Sequence, residues 1–131
     1  MARPQLPYPT PKELEVLQVL WKQEPCSVRQ MMEQLGRRRP RSYSSVLNLL
    51  NTMTDKGLLM RKANGSAFLY KSRIGRERTN GGLVKDLLTR AFAGSAASLI
   101  THALKQAKPT ADELDDITRA ISDYRKGRSV R

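Results

Sequence analysis

The sequence predicts a mainly α-helical protein with one small β-hairpin. In most of the 131-residue chain, apolar residues recur at helical spacing behind residues that cap helix N-termini. One segment, LLMRKANGSAFLYKS, instead contains two short β-like runs on either side of Asn64-Gly65, a pair that favours a tight hairpin turn. Three helices are predicted before the hairpin and three after it, and this order defines the fold class.

The first predicted helix covers Pro11 to Lys22. Thr10 is placed to cap it, Glu13 completes a capping box, and proline suits the first helical position. Leucines and Trp21 recur at helical spacing, so one face is expected to be buried. The segment QEPCSV then ends the helix and leaves room for a very short strand at Cys26 to Val28.

A short second helix and an arginine-rich loop follow. Ser27 forms a second capping box with Gln30, and Gly36 is expected to stop the helix after about two turns. Four arginines then crowd around Pro40, which keeps the residue before it out of a helix. So much like charge directly before a helix suggests that the loop and the helix meet a polyanion together.

The third predicted helix begins after Ser42 and ends at Gly57. Its apolar stripe consists of Val46, Leu49, Leu50 and Met53. The opposite face carries Ser44, Ser45, Asn48, Asn51, Thr52 and Asp55. An ordinary solvated helix face would carry more Lys and Glu, so this nearly uncharged face indicates a surface that forms hydrogen bonds with a partner.

The hairpin is predicted to pair Leu58–Lys62 with Ala67–Lys71 around Asn64-Gly65. We expect Leu58, Met60, Ala67 and Leu69, or their alternates, to face the core. Three further helices follow: one with a kink or a frayed start at Gly81-Gly82, one capped by Ser95, and one that begins with a capping box of Thr110 and Glu113.

Charge and composition limit the classes of function. The net charge is +12, and residues 25–74 hold ten Lys or Arg against two Asp or Glu, whereas residues 75–131 hold eleven against seven. A concentrated positive excess favours nucleic acid as the partner. The sequence has no apolar run long enough for a transmembrane helix, no signal peptide and one cysteine, so we expect a cytoplasmic protein without disulfides or membrane contact.

Helix, short strand, helix, helix and hairpin is the element order of a winged helix-turn-helix domain, predicted here for residues 10–73. In such domains the third helix enters the DNA major groove and the hairpin lies along the DNA backbone as a wing. The predicted phosphate contacts are Arg37, Arg38, Arg39, Arg41, Ser42, Tyr43, Arg61, Lys62 and Lys71. The predicted base-reading residues are Ser44, Ser45, Asn48, Asn51 and Thr52.

Residues 74–126 are predicted to form a three-helix dimerisation region, residues 1–9 a flexible arm and residues 127–131 a disordered tail. The apolar stripes of three such short helices cannot all be buried against one another, so a second copy of the chain is the expected partner. The predicted dimer contacts are Leu83, Leu87, Leu88, Phe92, Leu99, Leu104, Leu114, Ile117 and Ile121. A two-fold dimer requires a palindromic DNA site.

The chain resembles the BlaI/MecI penicillinase-repressor family of bacterial winged-helix transcriptional regulators. The resemblance is carried by the stretches TPKELEVLQVLWK, CSVRQMMEQL, SYSSVLNLLNTMTDKGLLMRKANGSAFLYKS and LLTRAFAGSAASLI, and its most specific part is Tyr43 to Leu58. The resemblance implies a homodimeric repressor that binds inverted repeats in promoters and whose C-terminal helices interlock between subunits.

The resemblance also bears on induction. Well-known members are cleaved at an Asn-Phe bond through a membrane sensor protease pathway, and His102-Ala103 stands at the corresponding positions here. A copper-responsive branch of the family uses a C-terminal cysteine cluster, which this chain lacks. The sequence therefore leaves the inducing signal and any upstream sensor or protease open.

Two other classes of function remain as alternatives. A sequence-nonspecific basic protein, chromatin-like or RNA-associated, would bind all duplexes alike, but its third helix would be expected to carry Lys rather than Ser and Asn. A protein-interaction adaptor would be expected to have a charge nearer neutral. One His, one Cys and the absence of paired carboxylates in an apolar setting or of metal-ligand spacing argue against an enzyme, a metal site or a cofactor.

Overall fold

The computed structural model describes residues 9–127, so most of the predicted N-terminal arm and C-terminal tail lies outside the described residues. Packing divides the chain into two units at Lys85/Asp86. This division lies inside a helix, about a dozen residues beyond the boundary predicted at residue 74. The described helices include none that is long and apolar enough to cross a membrane.

Three helices form the first part of the fold, and their starts follow the predicted caps. They are α1 (Pro11–Lys22), α2 (Val28–Leu35) and α3 (Tyr43–Asp55). The capping boxes at Thr10 and Ser27 are confirmed, and the Ser42 hydroxyl oxygen accepts a hydrogen bond from the amide of Ser45 at 3.1 Å. Gly36 caps α2 in a right-handed conformation, φ −68°, rather than turning left-handed.

The end of α3 is a glycine stop of the predicted kind. Gly57 adopts φ +87°, a conformation that costs other residues energy. The Leu58 amide donates to the Met53 carbonyl at 2.9 Å, and the Gly57 amide donates to the Thr54 carbonyl at 3.1 Å. These two bonds satisfy carbonyls at the helix end and direct the chain into the hairpin.

The hairpin pairs β1 (Leu59–Asn64) with β2 (Ala67–Ser72) in antiparallel register. Asn64 pairs with Ala67, so the two turn residues are Gly65 and Ser66 rather than the predicted Asn64-Gly65. Gly65 alone takes a positive φ, +67°, the pattern of a turn in which only the first central residue needs glycine. The alternates of the predicted inward residues, Leu59 and Tyr70, are the ones buried.

The core of the first unit lies between the three helices and the base of the hairpin. Its buried apolar members are Val16, Leu17, Leu20, Cys26, Val28, Met31, Leu35, Val46, Leu50, Met53, Leu59 and Tyr70. The predicted short strand is a single bridge, in which Cys26 and Tyr70 exchange backbone hydrogen bonds of 3.0 and 2.8 Å.

A buried ion pair adds to this core. Glu13, already part of the α1 capping box, also accepts from the Lys56 ammonium at 2.6 Å, and both side chains are almost fully buried. The pair joins the start of α1 to the end of α3.

Three more helices complete the chain: α4 (Arg76–Ala91), α5 (Ala96–Ala107) and α6 (Ala111–Gly127). The structure assigns α4 as one helix that begins at Arg76 and continues through Gly81 and Gly82, so a start frayed at these glycines is wrong, whereas the alternative of a kink there stays a prediction. The start of α4 belongs to the first unit, because the Trp21 indole donates to the Ile74 carbonyl at 2.9 Å and Thr79 is buried. The predicted Ser95 cap of α5 and the capping box that opens α6 are confirmed.

Candidate nucleic-acid interface

The outer face of α3 is uncharged along its first two turns. Ser44, Ser45 and Asn48 are exposed, whereas Thr52, one turn further along, is half-buried. The structure shows no side-chain hydrogen bond of Asn48 within the described residues. The side chains of Ser44, Ser45 and Asn48 are therefore exposed to a partner, and their role in base reading stays a prediction.

Asn51 differs from the other predicted base-reading residues. It is half-buried, and its side-chain oxygen accepts two hydrogen bonds, from the Arg61 guanidinium at 2.8 Å and from the Tyr70 hydroxyl at 2.9 Å. This correction follows from the tertiary structure, because the hairpin packs over the second half of α3. Through these two hydrogen bonds Asn51 links α3 to the hairpin.

The four arginines of the loop separate into two groups. Arg37, Arg38 and Arg39 are exposed. Arg41, also predicted to bind phosphate, instead forms an ion pair with Glu15 of α1 at 2.7 Å, and only 11% of its side chain is exposed. Its side chain therefore stabilises the fold by linking the loop to α1 through this ion pair.

The positive charges of the arginine loop affect the pKa of Glu15 in α1. The hydrogen bond from Arg41 lowers the pKa of Glu15; burial opposes this shift, and the positive charges of Arg41, Arg38 and Arg39 add to it. The carboxylate therefore stays ionised at neutral pH. Arg38 and Arg39 lie near enough to influence Glu15 electrostatically, so one carboxylate partly offsets the positive charge of the loop.

Tyr43, at the first position of α3, is exposed and lies beside a basic residue that the sequence did not single out. The Arg29 guanidinium of α2 lies over the Tyr43 ring at 5.6 Å from its centroid. Arg29 also lines a shallow groove with Arg37 and Pro40. The beginning of α2 therefore presents positive charge next to Tyr43 and the exposed arginines of the loop.

Lys12 is a second basic residue that sequence reasoning missed. It lines one shallow groove together with Arg39 and with Ser45, Asn48 and Thr52 of α3. A signal for both missed residues was present in the sequence. Lys12 and Arg29 each lie in the first turn of a helix, where the helix dipole disfavours a cation. A cation retained there suggests an external anion.

The basic residues of the hairpin lie on opposite faces. Arg61 is paired with Tyr70 and shares the face that turns toward α3, where its guanidinium also lies 4.5 Å from the centroid of the Phe68 ring. Lys62 and Lys71 are exposed and belong to the other face, because side chains alternate along a strand. The three predicted wing residues are therefore divided between the two faces of the hairpin.

Comparisons with known proteins agree with this architecture. The family model described as penicillinase repressor matches residues 9–123. The transcriptional regulator BlaI of Mycobacterium tuberculosis is 31% identical over 121 residues, which cover 91% of this chain and 86% of that protein. The chain belongs to the penicillinase repressor family. The family predicted from the sequence, and with it the class of transcriptional regulators, is thereby confirmed.

More distant members of the penicillinase repressor family match over similar lengths. The penicillinase repressor of Bacillus licheniformis is 20% identical over 120 residues, or 92% of this chain and 94% of that protein. The solution structure of the DNA-binding domain of the repressor BlaI superposes with a TM-score of 0.50 at 24% identity. That match covers 56% of this chain and 90% of the domain, and it confirms the predicted winged-helix fold.

The second unit of this family member has no buried side chain in α5 or α6. None of the nine predicted dimer contacts is buried in the single chain, and Ile121 is 48% exposed. Three more apolar side chains that the prediction omitted are exposed as well: Val84, Ile100 and Tyr124. Residues 83–127 therefore carry apolar surface that the single chain leaves uncovered.

The remaining reactive side chains have ordinary structural surroundings. Cys26 is buried, and its thiol donates to the Gln23 carbonyl at 3.0 Å. Burial raises the pKa of this thiol, the hydrogen bond opposes the shift, and the charge of Glu24 adds to it. His102 lies within α5, with its ring 5.3 Å from that of Phe92. Residues 9–127 contain no cluster of three or more His, Cys, Asp or Glu arranged to hold a metal ion.

Proposed function

We propose that this protein is a transcriptional repressor that binds double-stranded DNA as a homodimer at an inverted-repeat operator. The observation that carries the proposal is the uncharged face of Ser44, Ser45 and Asn48, exposed on α3 beside the exposed arginines of the preceding loop. In relatives of this family, a domain with this fold is named as the DNA-binding domain of a repressor.

The division of labour between the two surfaces follows from their chemistry. Arg37, Arg38 and Arg39 contact phosphates, which positions the protein on any duplex without reading its sequence. Lys12 and Arg29 extend this positive surface on either side. The short side chains of α3 then approach base edges, where an Asn that pairs with adenine through two hydrogen bonds contributes about 1–3 kcal/mol of discrimination.

Self-association is supported by the uncovered apolar surface of α5 and α6. Leu104, Leu114 and Ile121 are each more than one-third exposed in the single chain, and helices with an apolar stripe need a partner to bury it. A second copy of the chain is the simplest partner. A two-fold axis would then present two copies of α3 about one DNA turn apart, or a small multiple of it.

This function makes the protein a binding module rather than a catalyst, and action on promoter DNA places it in the cytoplasm.

An experiment distinguishes the proposed specific repressor from the alternative, a sequence-nonspecific basic protein. The full chain is incubated with a duplex pool of randomised sequence, and bound DNA is amplified over several rounds. We expect enrichment of an inverted repeat. Recovery of unenriched sequences would exclude specific recognition.

The reading face is tested with one variant of the same chain. Asn48→Ala should lose roughly tenfold or more in affinity for the enriched duplex, because it removes a base contact, and should bind a scrambled duplex as before. Fluorescence anisotropy with both duplexes measures the two affinities. An equal loss on both duplexes would contradict the assignment of Asn48 to base reading.

The dimer is tested separately. Ile121→Asp introduces a charge into the apolar stripe of α6, so we expect monomers in sedimentation equilibrium and weaker binding to the inverted repeat. Arg119→Asp also adds negative charge to α6, but at an exposed position on the face opposite the stripe, and should leave the dimer intact. A wild-type chain that sediments as a monomer at micromolar concentration would refute the homodimer.

A further inference from the structure

The inference concerns Asn51, which joins the second half of α3 to the hairpin. Its side-chain oxygen accepts from Arg61 at 2.8 Å and from the fully buried Tyr70 hydroxyl at 2.9 Å. An amide oxygen has two lone pairs, and both are used here. Because Arg61 can only donate, it also fixes which end of the Asn51 amide faces the hairpin.

This arrangement conflicts with base reading. An Asn that reads adenine accepts a hydrogen bond through its oxygen and donates another through its nitrogen at the same time. Asn51 could do so only by releasing at least one of its two hairpin donors, the Arg61 guanidinium or the buried Tyr70 hydroxyl. Asn48, one turn earlier on α3, is exposed and has no such commitment.

The same contacts hold Arg61 from two sides. Asn51 binds one terminal nitrogen of the guanidinium, and the Phe68 ring lies 4.5 Å from its central carbon. Arg61 nevertheless remains an exposed residue, so a partner can still reach it. A long side chain normally loses conformational freedom when it binds, at a cost of about 0.5–1.5 kcal/mol, and this arginine has lost much of that freedom already.

We propose that Arg61 is a preorganised DNA-phosphate contact of the hairpin and that Asn51 is a positioning residue that acts through Arg61 instead of reading a base. Phe68 is the second positioning residue, on the other side of the guanidinium. The inference rests on the proposed DNA-binding function and assigns roles to side chains within that surface. Lys62 and Lys71, on the opposite face of the hairpin, are not held in this way.

A double-mutant cycle on the full-length chain tests the proposal. The probes are the duplex enriched from the random pool and a scrambled duplex of equal length. Arg61→Ala should weaken binding to both duplexes by about tenfold and reduce the slope of log affinity against log salt by about one per protomer. Asn51→Ala should show a smaller loss of the same kind, and no further loss in the Arg61→Ala background.

Asn48→Ala is the matched control, since it makes the same chemical change one turn away. Its cost should be confined to the enriched duplex and should be equal in the wild-type and Arg61→Ala backgrounds. An Asn51→Ala loss that persists undiminished without Arg61, or that appears only on the enriched duplex, would overturn the positioning role. If the pool yields no enriched sequence, the proposed function fails, while the scrambled duplex still reports on Arg61.

A second variant covers the risk that Asn51→Ala destabilises the fold by leaving the Tyr70 hydroxyl unpaired. Phe68 is 40% exposed, so Phe68→Leu leaves the core intact. We expect Phe68→Leu to weaken DNA binding about threefold and to lower the salt slope. Phe68→Tyr should keep wild-type values of both, because it keeps the ring. Unchanged DNA binding by Phe68→Leu, or a loss in Phe68→Tyr as large as that in Phe68→Leu, would refute the preorganisation of Arg61.

Discussion

The loop before α3 contains arginines with different expected roles, and substitution separates them. Arg38 and Arg39 are exposed, whereas Arg41 is paired with Glu15 at 2.7 Å. We therefore compare the double variant Arg38→Ala/Arg39→Ala with the single variant Arg41→Ala. The first should change how binding depends on salt, and the second should change the stability of the fold.

The expected size of the first effect follows from counterion release. A dimer without Arg38 and Arg39 loses four phosphate contacts, which should reduce the slope of log affinity against log salt by about 3.6. Raising the salt from about 50 to about 200 mM should then weaken the wild-type dimer about 150-fold more than the variant. The loss should be similar for the enriched and scrambled duplexes, because phosphates carry no sequence information.

The second effect is one of stability. Arg41→Ala leaves Glu15 without its partner, and because 29% of the Glu15 side chain is exposed, the cost is discounted to about 1 kcal/mol. For a unit of this size, such a loss corresponds to a Tm lower by about 4–8 °C. The salt slope should stay near the wild-type value.

Anisotropy titrations at four salt concentrations and thermal unfolding by circular dichroism measure both quantities in each variant. The reasoning is refuted if Arg41→Ala reduces the salt slope by as much per arginine as the double variant while its Tm is unchanged. That result would mean that Arg41 leaves Glu15 and contacts DNA in solution.

Three further predictions concern stability and reactivity. Lys56→Met should lower the free energy of unfolding, measured in urea, by roughly 3 kcal/mol, because Glu13 stays buried without its ion pair. Adding Glu13→Gln should recover part of that loss. An unchanged free energy of unfolding would contradict the pairing. Because the pKa of Glu15 is lowered from 4.5 in the folded state, wild type should be more stable than Glu15→Gln above about pH 4.5, and this advantage should disappear as the pH falls through the folded pKa; a pH-independent difference in Tm would count against the Arg41 interaction. Cys26 should react slowly with iodoacetamide at pH 8 in the native chain and rapidly in denaturant, since its thiol is buried with a raised pKa; rapid native labelling would show that the site opens.

Local features were predictable from the sequence because their causes are local. Each capping box needs only a hydroxyl and a Glu or Gln three residues later, so the starts of α1, α2 and α6 were recovered. The glycine stop at Gly57 has a cause of the same kind. The hairpin was found, but its turn was predicted one residue too early, because strand register depends on which residues the core buries.

The candidate site was only partly predictable for a related reason. A helical pattern shows which face of α3 is polar, but it does not show which part of that face the hairpin will cover. Asn48 and Asn51 look alike in the sequence, yet one is exposed and the other binds Arg61 and Tyr70. The division of the arginines likewise depends on Glu15, which lies 26 positions before Arg41.

The sequence by itself determined the family, the order of helices and hairpin, and the presence of an uncharged helix face behind a basic loop. These properties depend on short-range spacing and on residue type. Only the tertiary structure decided which polar side chains remain available to a partner. Each hydrogen-bonding group can bind either within the fold or to a partner, and contacts between residues far apart in the sequence determine which groups are already used. Asn51 and Arg41 serve the fold, and Asn48, Arg38 and Arg39 are left exposed.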